Sequence, residues 1–91
     1  MLRITVKQEG STARFIVEGT LVMPWVAELR KCWQVAARAK TKHSFIDLAG
    51  VTSIDPQGRI LLTEMHRQGA QLLAKGLLTQ AIVEEIQNNG K

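Results

Sequence analysis

The residues best placed for chemistry lie in one short run, Asp55-Pro56-Gln57-Gly58-Arg59-Ile60. An aspartate directly before a proline fits the N-cap of a helix. Its carboxylate can accept hydrogen bonds from backbone N–H groups two or three residues on, and its charge suits the positive end of the helix dipole. Pro56 fits the first helical position, where its missing N–H removes no intrahelical bond. Gly58 in the first turn permits close approach of another backbone, a ligand or a partner, because it has no side chain. A helix start with Arg59 beside it is also a physically reasonable place for an anion. Ile60 falls out of phase with the apolar stripe that follows, so it is either a contact residue or covered by the next element.

Other reactive side chains form no catalytic pattern. His43 and His66 are far apart, neither has a metal-ligand spacing, and both read as surface residues. Ser11, Ser44 and Ser53 lack the strand-to-helix glycine context of a nucleophile elbow. Cys32 is the only cysteine, which rules out an internal disulfide and a cysteine-based metal site within one chain, and it reads as a small buried hydrophobe. No glycine-rich loop follows a strand as a phosphate cradle requires. The expectation is therefore no catalytic residue, no metal and no cofactor.

The elements that position this run can be read from periodicity. In "LRITVK", Leu2, Ile4 and Val6 alternate with Arg3, Thr5 and Lys7, and "ARFIVEG" sets Phe15 and Val17 against Arg14, Ile16 and Glu18. Both have the period of half-buried strands, and "QEGST" between them makes an antiparallel hairpin. A long helix is predicted from Pro24 to about Ala39, with Val26, Leu29, Trp33 and Ala36/Ala37 inward and Trp25 and Cys32 flanking that stripe. "SFIDL" predicts a central strand packed on both faces and punctuated by Gly50. A second helix from Pro56 to Gln68 buries Leu61, Leu62 and Met65, turns Arg59, Thr63, Glu64, His66 and Arg67 outward, and ends at Gly69. "AQLLA" predicts a short strand. Leu78, Ile82 and Ile86 predict a terminal helix, with "NNGK" fraying.

This order, β-β-α-β-α-β-α, predicts one α/β domain over residues 1–91. Its mixed, mainly parallel sheet of about four strands is packed with helices. A chain of 91 residues has room for one core. With no apolar run of about 18 residues and no leader-like N-terminus, the expectation is a cytoplasmic protein without a membrane partner. Net charge is +4, and Arg30, Lys31, Arg38, Lys40 and Lys42 cluster. Such a cluster can draw a polyanion. No nucleic-acid-binding motif accompanies it, so a solvated helix face is preferred and nucleic acid is disfavoured.

The stretch "FIDLAGVTSIDPQGRILL" resembles the central motif of STAS domains, the family of bacterial anti-sigma factor antagonists and the cytoplasmic tails of sulfate transporters. That motif is an apolar strand, Asp-Leu-Ser-Gly-Val, two or three residues, then Asp-Ser-Ser-Gly-Leu at a helix start. Asp47, Leu48, Gly50, Val51, Asp55 and Gly58 match it at the same spacing, and the order of elements extends the resemblance over nearly the whole chain. The resemblance implies a regulatory protein-interaction module whose partner is a protein such as a kinase-like anti-sigma factor or a sensor. It places the partner-binding site at Asp55, Pro56, Gln57, Gly58, Arg59 and Ile60.

In antagonist members the serine after the motif aspartate accepts phosphate, adding about 1.5 to 2 negative charges that release the partner. Here that position is Pro56, followed by Gln57, and neither can accept phosphate. Thr52, Ser53 and Thr63 are nearby hydroxyls for which a local structural role is preferred. The alternative functional reading is a small-molecule or anion (nucleotide)-responsive domain that binds at the start of the second helix. A homodimer that buries Trp25 and Ile60 is also open. An antagonist-type kinase and labelled ATP should leave residues 55–58 unlabelled when the digested protein is mapped by mass spectrometry.

Overall fold

The structure, a computed structural model, describes residues 1–38 and 41–89. The chain order is β1 (Leu2–Glu9), β2 (Thr12–Leu21), α1 (Trp25–Arg38), β3 (His43–Ile54), α2 (Pro56–Arg67), β4 (Gln71–Leu73) and α3 (Leu77–Asn89). The predicted α/β order is thus present. The end predicted at Ala39 for α1 lies outside the described residues, as do Gly90 and Lys91 of the terminus expected to fray, but Asn88 and Asn89 do not fray and form the last residues of α3.

The strands lie side by side as β1-β2-β3-β4. β1 and β2 are antiparallel and joined by a two-residue turn at Gly10-Ser11, where Gly10 has φ +60°. A side chain would be strained at that φ, which is why a glycine opens the turn. β2–β3 and β3–β4 are parallel, each linked through a crossover helix. α1 packs on β1 and β2, α2 on β3 and β4, and α3 on β3 beside α2.

One core lies between the sheet and these helices. The sheet contributes Ala13, Phe15, Val17, Leu21, Ile46, Leu48 and Val51; the helices contribute Val26, Leu29, Trp33, Leu61, Leu62, Met65, Ile82, Val83 and Ile86. Phe15 and Trp33 meet at 5.8 Å between ring centroids, and the Trp33 Nε1–H donates to Gln68 Oε1 at 3.1 Å. The indole thus buries its apolar body without leaving its one donor unpaired.

Several expectations change. β3 does not stop at Gly50 but continues to Ile54. Between the pairs Ile16–Asp47 and Glu18–Gly50, and again between Gly19–Val51 and Thr20–Ser53, β3 carries one residue more than β2. The first bulge shifts the inward positions from Ile46 and Leu48 to Val51, so a simple alternation count breaks at Gly50 although the strand does not. β3 is also not packed on both faces. The outward face, with Arg14 exposed and Ile16 and Phe45 half-buried, carries no helix among the described residues. Arg14 lies 5.9 Å over the Phe45 ring and partly covers it.

Val6 does not join Leu2 and Ile4 against the core and is 45 % exposed. In α3 the buried stripe is Thr79, Ile82, Val83 and Ile86, with Leu78 in solvent; the helix starts at Leu77, which turns Leu78 away from the sheet. Pro24 lies in the turn before α1 rather than in its first turn. Among the described residues, no helix is long and apolar enough to cross a membrane.

Gly58 is tightly bound to this packing. A Cβ there would lie 2.6 Å from the Leu21 carbonyl oxygen and 3.0 Å from Ile54 Cγ2. Gly58→Ala gains up to about 1 kcal/mol in helix propensity. Overpacking against fixed backbone typically costs about 1–3 kcal/mol and should win. Thermal unfolding of Gly58→Ala should show a Tm lower by roughly 5–15 °C, at about 4–8 °C per kcal/mol for a domain of this size.

Candidate functional site

The end of β3 delivers the chain to Asp55, whose backbone is extended (φ −85°, ψ 174°) and whose N–H donates to the Leu21 carbonyl at 3.1 Å. The carboxylate then does two things. Oδ1 accepts the Gly58 N–H at 2.7 Å, which is the predicted N-cap. Oδ2 accepts the Met23 N–H at 2.9 Å, reaching the loop that leads into α1. One side chain therefore ties the starts of both helices together at one end of the sheet. The sequence contains no local sign of the Met23 contact, since the two residues are 32 positions apart.

These bonds lower the Asp55 pKa below its ordinary value. The Met23 N–H is the largest cause, followed by that of Gly58, with a smaller contribution from Gln57; partial burial opposes them.

The six expected site residues are adjacent but not equivalent. Pro56 and Gln57 are exposed, Arg59 is half-buried, and Ile60 is 48 % exposed. Gly58 is buried against Leu21, so its missing side chain admits backbone of the same chain. Arg59 is engaged by Glu85 of α3 at 2.7 Å, while on the other flank Arg30 of α1 holds Glu64 at 2.6 Å. α2 is therefore the middle helix, pinned on both sides. Between the ion pairs runs a shallow surface groove lined by Pro56, Arg59, Ile60, Thr63, Glu64 and Arg67. Met23 and Trp25, 52 % and 36 % exposed, add apolar surface at the same end of the sheet.

The nearby hydroxyls are occupied locally in two cases. Thr63 Oγ1 donates to the Arg59 carbonyl at 2.8 Å, and Thr52 Oγ1 to the Gly19 carbonyl at 3.2 Å. Ser53 is half-buried in β3 opposite Thr20. His43 is exposed and His66 half-buried, with its Nδ1 enclosed and unpartnered. Cys32, expected to be buried, is half-buried. Among the described residues no group of histidine, cysteine or carboxylate side chains could hold a metal ion. Of the basic cluster, Arg30 is taken up by Glu64, Lys31 and Lys42 are exposed, and the side chains of Arg38 and Lys40 lie outside the described residues.

No family model matches the sequence, and no curated protein matches it. Solved structures do. An anti-sigma factor antagonist from Mycobacterium paratuberculosis is similar with a TM-score of 0.85 at 16 % identity, over 98 % of this chain and 80 % of that one. An anti-sigma factor antagonist STAS domain from Rhodobacter sphaeroides gives 0.61 at 18 % identity, over 86 % and 89 %. A protein from Shewanella loihica with a SpoIIAA-like fold gives 0.61 at 13 % identity, over 96 % and 76 %. The fold is that of STAS domains, as the motif resemblance implied.

Asp55 also gives the site a pH signature. Because its folded-state pKa lies below the unfolded value, its contribution is fully present above the unfolded pKa and is lost as pH falls through the folded one. Asp55→Asn keeps an oxygen for Gly58 but cannot accept a second N–H from Met23 through its amide nitrogen. Urea titrations across the acid range should find Asp55→Asn less stable at neutral pH, with the gap to wild type narrowing as pH drops below about 4.

Proposed function

We propose that this chain is a non-catalytic regulatory domain that docks on a protein partner through the start and outer face of α2, without phosphoserine control at that turn. The observation that carries the reading is Ile60, a large aliphatic side chain 48 % exposed one turn into a helix otherwise held on both flanks. The fold supports it, because the similar solved proteins include two anti-sigma factor antagonists. The partner is then a kinase-like anti-sigma factor or a sensor, and the setting is the cytoplasm.

Asp55 and Gly58 shape the docking surface from beneath, while Pro56, Gln57, Arg59 and Ile60 meet the partner. Pro56 preserves the helix start and supplies no hydroxyl, so docking is constitutive at this position. Binding of a small anion or nucleotide at the same place is weakened as an alternative. The Asp55 carboxylate already occupies the helix start, and Arg59 is committed to Glu85.

Ile60→Asp places a charge where an apolar side chain would be desolvated, so it should weaken partner capture about tenfold or more. Arg59→Glu breaks an exposed ion pair whose loss typically costs at most about 1 kcal/mol, so the fold should survive it. Co-purification from the native host with each variant reads the effect. Retention of every wild-type partner by both variants rejects the docking face, and a dose-dependent thermal shift with nucleotides revives the ligand reading.

A further inference from the structure

β1 is an edge strand of eight residues with a regular register to β2 and no proline or bulge. Natural edges are usually blunted by such a device or by charged side chains, because an open row of N–H and C=O groups invites pairing, and β1 has only the charges of Arg3, Lys7 and Glu9. The Thr20 N–H donates to the Met1 carbonyl, which fixes the phase of the hairpin ladder. Met1, Arg3, Thr5, Lys7 and Glu9 direct their backbone groups toward β2, and Leu2, Ile4, Val6 and Gln8 direct theirs outward. Beside that edge, which no strand covers among the described residues, Val6, Cys32, Val35 and Ala36 line an apolar groove between β1 and α1, with Gln8 and Lys31 at its rim. Val35 is 69 % exposed and Val6 45 % exposed.

We propose that this edge binds a second copy of the chain, β1 against β1 in antiparallel register with Val6 on the two-fold axis, making one continuous sheet across the dimer. Charge selects both the occupant and the register. With Val6 opposite its own copy, Arg3 of one chain faces Glu9 of the other, twice by symmetry, and Thr5 faces Lys7. Shifting the partner by two residues sets Arg3 against Lys7 in one direction and Lys7 against its own copy in the other. Like charges directly opposite are unfavourable, so those registers are rejected. Odd shifts are excluded because they would oppose inward-directed and outward-directed backbone groups.

In the chosen register Ile4 pairs with Gln8 across the axis, and Val6 and Val35 of both copies close over the two grooves. This surface is on the β1 and α1 side of the sheet, away from the α2 face, so the dimer leaves that face open.

Sedimentation of the full chain should show a dimer whose population rises with concentration. Arg3→Glu alone and Glu9→Arg alone should each raise its Kd about tenfold, by placing like charges opposite one another twice. The double variant Arg3→Glu, Glu9→Arg should return close to the wild-type value. Val6→Asp, at an exposed position that the monomer fold does not need, should leave a folded monomer. In a Cys32→Ser background, a short bis-thiol cross-linker should join Val6→Cys across the axis faster than it joins Thr5→Cys or Lys7→Cys, because the β-carbons of directly opposite residues lie about 4.5–5.5 Å apart and diagonal neighbours about 7–8 Å. A chain that is monomeric at every concentration, or a dimer indifferent to these charge changes and to Val6→Asp, overturns the proposal.

Discussion

The carboxylate of Asp55 is the constraint on which the arrangement at this end of the sheet depends. By accepting the N–H of Gly58 with one oxygen and that of Met23 with the other, it couples the start of α2 to the loop entering α1. Those amides would otherwise lie unpaired at a helix start and in a tight loop. Gly58 completes the arrangement from below, because only a residue without Cβ lets α2 settle against the Leu21 carbonyl. The same end of the sheet therefore holds two helix entrances in a fixed relation. A surface built there is presented by rigid backbone rather than by a free loop.

From this anchor the rest of the α2 surface follows. Arg30–Glu64 and Arg59–Glu85 flank the middle helix and absorb its charges. Both pairs are exposed and each contributes at most about 1 kcal/mol, so their main effect is to order side chains along the groove. What is left facing outward is a narrow strip with Pro56 and Ile60 as its apolar members. The sheet contributes a separate feature at its far side, the edge of β1, which pairs with no further strand among the described residues. The fold thus presents two surfaces, one at the helix start and one at the sheet edge, that do not compete for space.

Much of the fold was legible because burial follows period. Phe15 and Val17 in β2, and Leu61, Leu62 and Met65 in α2, are buried as their spacing predicted. The expectation failed where geometry departs from a simple period. The bulge of β3 between Asp47 and Gly50 shifts parity between Leu48 and Val51, and α3 turns Thr79 rather than Leu78 toward the sheet. The outward position of Val6 fails for another reason. It obeys the alternation of its strand but lies where α1 does not reach over the edge.

The helix start at Asp55-Pro56, the absence of a phosphate-accepting hydroxyl at positions 56 and 57, and the order of elements that leads to a mixed sheet can all be read from the residues in chain order. These are local properties, decided by what each residue's own backbone and side chain can do. The tertiary structure alone decided that Asp55 also holds Met23, that Gly58 faces Leu21 rather than a ligand, and that Arg59 is engaged by Glu85. Each of those partners is distant in the chain and reaches the site only when β2 pairs with β3 and the helices stack side by side on the sheet. A hydrogen bond or an ion pair needs its partner within a few ångströms, and no spacing in the sequence encodes that distance.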